Sequence, residues 1–348
     1  MCGLAGFLAS DVFSEDPLAV LSRMSAALRH RGPDDDGVWS SGPVHLAHRR
    51  LSIVDLSPAG RQPMHSASGR FVISFNGEVY NYRALRAELE ALGAAPAWRG
   101  ASDTEVMLAA FETWGLEGAL PRFVGMFAFA LWDARERRLH LVRDRLGVKP
   151  LYWSHTPAGV AFASELKALR HFPGFDTRID GDAFAGFLRA SCVTGEQAIF
   201  RGTRRLAPGT FATFGDAAGT PSVTRYWDPV SVARGGLADP FTGDEGEALD
   251  ALGALLRDAV RMRLVADVPL GAFLSGGVDS SLVVAQMQAL SARPVHTFSI
   301  QNESAAYDEG PRAPAAVDVR RALRRLLADS HLPRLAAGAP RRHGGALG

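Results

Sequence analysis

A cysteine directly follows the initiator methionine of this chain, in the opening run Met1-Cys2-Gly3-Leu4-Ala5-Gly6. Removal of Met1 would make Cys2 the N-terminal residue, with a thiol and a free α-amino group on the same residue. An α-amino group titrates near pKa ~7.7–8.0 and a free thiol near ~8.5. A nucleophile and a weak base are then joined covalently, which is one way to activate a nucleophile. Position alone favours an incidental small residue, so the rest of the chain has to decide.

A second chemical stretch lies far away, at Ser275-Gly276-Gly277-Val278-Asp279-Ser280-Ser281. A glycine-rich turn between a strand and a helix presents backbone N–H groups to an anion, and the helix N-terminus adds partial positive charge. Gly276 and Gly277 allow close backbone approach. Ser275, Ser280 and Ser281 add hydroxyl donors, and Asp279 is placed to ligate Mg²⁺. The lysine of a GxxxxGK[ST] loop is missing, so pyrophosphate suits this loop better than a transferred γ-phosphate.

The elements that must position these groups follow two grammars. As far as about Trp227, short strands with turn punctuation dominate. Residues 71–75 are strongly strand-forming and run into Asn76-Gly77, a turn pair. Helices are expected over residues 82–92, after a capping box at Ser102-Asp103-Thr104-Glu105, and over residues 180–188. Strands return over residues 126–131, 139–142 and 159–163. Residues 228–244, rich in Gly, Asp and Pro, read as a linker. Beyond it Leu249, Leu252, Leu256 and Val260 mark a helix, residues 268–274 a strand, 282–290 a helix and 295–300 another strand. Strand, glycine loop, helix and strand form a βαβ unit with parallel pairing.

Composition narrows the function classes. The chain has 348 residues, is 47% hydrophobic and 22% charged, and carries a formal net charge of +1. No bulk charge favours a nucleic acid or an anionic membrane as partner. The two cysteines, Cys2 and Cys192, argue against a disulfide scaffold and fit a reducing, cytoplasmic setting. Cys192 is expected to pack as a small apolar residue. The sequence shows no secretory signal and no apolar run of spanning length. Lysine occurs only at Lys149 and Lys167, so nearly all basic residues are arginine.

With both ends in view, the chain resembles the glutamine-hydrolysing asparagine synthetase family. Dense matches carry the resemblance: Arg29-His30-Arg31-Gly32-Pro33-Asp34, Leu46 to Ile53, Gln62-Pro63-Met64, Phe75 to Tyr82, Ser102 to Val106, Gly125 to Ala130, Arg143 to Tyr152, Ser164-Glu165-Leu166-Lys167 and the SGGVDSS loop. The resemblance implies an α+β N-terminal-nucleophile glutaminase (αββα, two antiparallel sheets) over residues 2–227. The linker at 228–244 would follow, then the N-terminal part of an α/β ATP-pyrophosphatase domain over 245–309.

The same resemblance implies roles. Cys2 would be the nucleophile, with its own α-amino group relaying the proton. The Asn76 side chain and the Gly77 N–H would form the oxyanion hole. Arg50 would hold the glutamine α-carboxylate, and Glu78 and Asp103 the α-ammonium end. Taken singly, Arg50 also suits a surface ion pair, Asn76 a turn and Asp103 a helix-start charge. Arg49 and Glu165 read as structural, and Asp144 and Arg145 as core or interface residues. In the second domain the loop from Ser275 to Ser280 would bind the ATP phosphates with Mg²⁺ on Asp279. Leu274 and Ile300 would flank the nucleotide. The implied reaction adenylates the β-carboxylate of L-aspartate, and ammonia from L-glutamine displaces AMP. Expected partners are therefore L-glutamine, L-aspartate and ATP, with a homodimer left open. A glutaminase-only protein and an amidotransferase acting on another carboxylate are the alternatives.

The resemblance fades after Tyr307-Asp308-Glu309. Residues 310–348 hold eight arginines, no lysine and two aspartates, and the last of them read as low-complexity sequence. A frameshift after about Glu309 is the expectation for this tail, and a basic binding tail the alternative. Two strands and the helix between them cannot bury a complete parallel-sheet core. The chain is therefore expected to hydrolyse glutamine without making asparagine.

Overall fold

The computed structural model describes residues 1–217, 219–275 and 277–300. The expectations for Gly276, for 301–309 and for the tail at 310–348 lie outside these residues. The chain divides into two units, Met1–Thr242 and Gly243–Gly348. Among the described residues, no helix is long and apolar enough to cross a membrane.

The first unit is built on two six-stranded sheets. Its strands in chain order are β1 (Gly3–Ala9), β2 (Asp35–Ser41), β3 (Val44–Arg50), β4 (Met64–His65), β5 (Phe71–Val79) and β6 (Gly125–Asp133). They continue with β7 (Arg138–Arg143), β8 (Tyr152–Thr156), β9 (Gly159–Ala163), β10 (Thr203–Arg205), β11 (Thr210–Phe214) and β12 (Ser222–Arg225). One sheet runs β10-β8-β9-β1-β3-β2 and the other β12-β11-β7-β6-β5-β4, with every resolved pairing antiparallel.

Alternation along the strands makes the layers. On β1, Leu4 and Leu8 join Val44, Leu46, Val72, Ala130, Leu141 and Phe162 in a core shared by both sheets. The intervening Ala5 and Phe7 face the other way, onto Val20, Leu21 and Met24 of α1 (Pro17–Ala26). On the second sheet, Phe71 and Phe129 meet Phe111 of α3 (Asp103–Ala119), which packs beside α2 (Tyr82–Ala91). The order is helix, sheet, sheet, helix, the αββα architecture. Each large apolar side chain buried this way contributes about 1.5–3 kcal/mol.

Four local expectations change. Asn76-Gly77 is no turn: β5 continues to Val79, with Asn76 opposite Ala128 and Gly77 opposite Phe127. The ladder to β6 overrides the turn preference of the dipeptide, and a Cβ at Gly77 would overlap the Met126 carbonyl. The capping box is half made. Ser102 accepts from Glu105 N, but the Glu105 carboxylate accepts from the N–H groups of Arg99 and Gly100 at 2.9 and 3.0 Å instead. Cys192 is exposed, not packed, because it lies just past α5 (Gly181–Ala190), the helix that follows the one-turn α4 (Leu166–Leu169). A short helix lies where the sequence reads as linker. It is α6 (Pro229–Ala238), capped by Asp228, and none of its residues is buried.

The second unit opens with α7 (Glu245–Arg263), which Asp244 and Glu247 start with a full capping box. Two short strands, β13 (Gly271–Phe273) and β14 (His296–Phe298), pair in parallel around α8 (Val278–Leu290). Its described core is small: Leu274 and Val284, with Ala272 against them. Leu249 and Leu252, which mark this helix in the sequence, are exposed, as are Phe273, Val278, Phe298 and Ile300.

Candidate active site

One cavity of about 180 Å³ in the first unit is lined by Cys2, Arg50, Asn76, Gly77, Glu78 and Asp103. These are all six residues expected for glutamine chemistry, and they come from four separate segments. Met1, Leu51, Gln62, Thr104 and Lys149 complete much of the wall.

Cys2 lies just ahead of β1. Its Sγ contacts the Leu51 backbone, donating to the carbonyl at 3.6 Å and accepting from the N–H at 3.4 Å. Burial pushes the thiol pKa up while Met1 is in place. Burial also lowers the pKa of the Met1 amino group, which stands at the same wall.

Arg50 is the last residue of β3, and its guanidinium turns back under the following loop. Nη1 donates to the Ser57 carbonyl at 3.1 Å, and Nη2 donates to the Asp55 carbonyl. Buried cations require such partners. Asp55 ties this cradle to the neighbouring segment. Its carboxylate accepts from Ser57 N at 3.1 Å and Ala101 N at 2.9 Å, two residues before Asp103.

β5 supplies the next three residues. Asn76 is 1% exposed, and its Nδ2 has no hydrogen-bond partner among the described residues. Buried amide donors are nearly always paired, so this one is a donor held ready. The strand is braced from behind. Phe75 N donates to Gln62 Oε1 at 2.7 Å, and the Phe75 carbonyl meets His48 Nε2 at 3.0 Å. Burial holds that imidazole neutral, with a pKa of about 4.

Asp103 opens α3 behind the Ser102 cap. One carboxylate oxygen accepts from Val79 N at 2.9 Å. Burial, then the nearby Glu78 charge, raise its pKa to about 6 despite that bond. A carboxyl raised this way gains most by meeting a cation. Lys149 approaches from the loop after β7, and burial lowers its pKa. Asp144 shapes that loop, accepting from the N–H groups of Phe127, Leu146, Val148 and Lys149. Lys149, Gln62 and the Leu51 backbone were not singled out from the sequence. Gln62 and Lys149 fall inside matched motifs, but nothing in those motifs says which side chain turns inward.

The second unit presents its loop separately. Ser275 Oγ and Ser280 Oγ lie 2.9 Å apart, and Ser280 Oγ donates to the Gly277 carbonyl at 3.2 Å. Gly277 caps α8 with no side-chain cap, so first-turn N–H groups are left for an anion. Asp279 stands exposed in that turn. The Leu274 side chain is buried against Val284, and Ile300 is exposed. Among the described residues, no group of three or more His, Cys, Asp or Glu could hold a metal ion. One carboxylate fits Mg²⁺ that arrives on nucleotide phosphates with most of its water, not a standing metal site.

Comparison with known proteins agrees with both halves. A family model described as a glutamine amidotransferase domain matches residues 1–227, and one described as asparagine synthase matches 251–325, past Glu309. A Mycobacterium tuberculosis (strain H37Rv) protein, provisionally named a glutamine-hydrolysing asparagine synthetase, is 40% identical over 304 residues, 82% of this chain and 45% of its own. Asparagine synthetase [glutamine-hydrolyzing] 3 of Bacillus subtilis is 34% identical over 310 residues, covering 87% of this chain and 48% of that protein. Amidase chry2 of Gibberella zeae is 31% identical over 366 residues, 96% of this chain and 51% of its own. The chain spans about half the length of the curated relatives it matches. It belongs to the glutamine amidotransferase domain family, in the asparagine synthetase arrangement that joins this domain to an asparagine synthase domain.

Proposed function

We propose that the first unit, once Met1 is removed, hydrolyses L-glutamine to L-glutamate and ammonia. The Cys2 thiol attacks the side-chain amide carbon, and the freed α-amino group takes the thiol proton. Charge develops on the amide oxygen, where Asn76 Nδ2 and the Gly77 N–H receive it. Donors of this kind are worth about 3–4 kcal/mol each. The proton passes to the amide nitrogen, ammonia leaves, and water then cleaves the thioester. Arg50 holds the α-carboxylate with two N–H groups in a fork, where lysine would be a poorer fit. Asp103 and Glu78 hold the α-ammonium.

The observation that supports this reading most is the convergence of Cys2, Arg50, unpartnered Asn76, Glu78 and Asp103 on one cavity. Glutamate release by the Met1-processed chain tests it. Cys2→Ala is expected to abolish release while leaving the fold intact. Equal release by that variant would refute the assignment.

For the second unit the reading is ATP binding at Ser275, Gly277, Asp279 and Ser280, with Mg²⁺ carried on the phosphates. Gly276, Leu274 and Ile300 belong to the same proposed site. Where the parallel sheet of that unit is covered on both faces, the whole reaction converts ATP, L-aspartate, L-glutamine and water to AMP, diphosphate, L-asparagine and L-glutamate. A second reading, amide hydrolysis without transfer to an acceptor, is favoured by one observation: a relative covering 96% of this chain carries the name of an amidase. A cytoplasmic setting fits the two unpaired thiols.

A further inference from the structure

Glu165 reads as structural in the sequence, yet it lies at the end of a run of contacts that begins on Cys2. β1 starts at Gly3, so Cys2 lies beyond the paired register. Chain termini stay poorly ordered unless something ties them down. Here the Cys2 carbonyl accepts from Arg31 Nε at 2.9 Å. The same guanidinium donates from Nη1 to Glu165 Oε1 at 2.8 Å. Arg31 is buried, in the single turn Arg29–Arg31, and a charged partner fixes the direction of a buried guanidinium more strongly than a neutral one. Glu165 is suited to that task. Besides Arg31 it meets His30 Nε2 at 2.9 Å and Lys167 Nζ at 3.2 Å. Burial raises its pKa, but bonds from Arg31, His30 and Lys167 outweigh that and hold it at about 2.

We propose that Glu165 is a positioning residue for the nucleophile: through Arg31 it fixes the Cys2 carbonyl, and so the direction in which thiol and freed α-amino group enter the cavity. The proposal rests on the glutaminase reading above. Glu165 does not line the cavity, and its bonds run to Arg31, His30 and Lys167 and not to Arg50 or Asp103. Its loss should therefore act on turnover and leave glutamine binding alone.

The test uses the full chain with Met1 removal verified by intact mass. Glutamate release is measured for wild type, E165A, E165Q, R31A and the E165A/R31A double variant. Misplacement of a reacting group by about 1 Å costs about 10²-fold. E165A is expected to lower kcat by about that factor, with KM within about two-fold. E165Q, which keeps a hydrogen bond without the charge, should lose about ten-fold. The double variant should be no worse than R31A, since both changes break one path. Unchanged kcat, a loss confined to KM, or additive losses would overturn the proposal. Should E165A fail to fold, E165Q and the cycle built on it carry the same comparison.

Iodoacetamide labelling, resolved by peptide mapping so that Cys2 and Cys192 are read apart, separates this proposal from the glutaminase reading. A wild-type chain that turns over no glutamine defeats the reading. In that case, Cys2 labelled several-fold more slowly in E165A than in wild type still supports the positioning role, and equal rates overturn it.

Discussion

Gly60 lies flat against the guanidinium of Arg50, so close that a Cβ at Gly60 would overlap Nη2. The loop carbonyls that hold Arg50 and the glycine that makes room for it belong to one short stretch. Gly60→Ala should push the guanidinium out of its cradle. KM for glutamine is expected to rise about ten-fold with kcat little changed, the pattern of lost uniform binding. Steady-state kinetics on the purified variant check this, and an unchanged KM would show that the cradle tolerates the extra carbon.

Asn76 offers a cleaner separation of catalysis from stability. Its Nδ2 has no partner among the described residues, so truncation breaks no bond made by that nitrogen. Asn76→Ala should lower kcat by about 10²–10³-fold. Stability should change by less than about 1 kcal/mol, because no partner is left unpaired. Paired kinetics and chemical denaturation decide; an equal loss in both would make Asn76 a structural residue.

Asp103 should write its raised pKa into two pH profiles. With a pKa of about 6 in the fold against ~3.9 unfolded, the native state holds the extra proton between those values. Stability therefore falls as pH rises from about 4 through 6, by about 3 kcal/mol in all, and stays level above. The catalytic profile runs the other way. kcat/KM for glutamine should drop below pH ~6 as the ammonium-binding carboxylate protonates. Asp103→Asn is expected to flatten the stability slope and to remove that acidic limb, with low activity throughout. Denaturation and initial rates across pH 4–8 read both.

The second unit predicts a divided activity. Among the described residues its parallel sheet has two strands and leaves Phe273 and Phe298 exposed at 77% and 60%, and parallel sheets are stable when covered on both faces. The purified 348-residue chain, given ATP, Mg²⁺, aspartate and glutamine, should release glutamate and form no asparagine. ATP- and aspartate-dependent asparagine would refute this.

Much of the first site was legible because its side chains carry chemistry in their type. A cysteine at position 2, an arginine ending one strand and an aspartate opening a helix each suggest a role, and the matched motifs joined them. The misreadings have a common physical origin. Asn-Gly is a turn dipeptide in isolation, but ladder bonds to β6 keep it extended. Glu105 suits a capping box, but the backbone of Arg99 and Gly100 competes for its carboxylate. The Leu51 contact to Cys2 spans 49 residues and uses only backbone atoms on the Leu51 side, so no residue type marks that partner. The role proposed for Glu165 has no mark in the sequence, because its partner Arg31 lies 134 residues away.

Met1 lines the cavity wall, and burial lowers the pKa of its amino group. Any affinity handle fused ahead of it would therefore start at the mouth of the proposed glutamine site and leave Cys2 in the middle of a chain. A preparation made that way would look folded, bind a column well and be inert. The handle belongs at the other terminus, or on a cleavable leader whose removal exposes cysteine as the first residue.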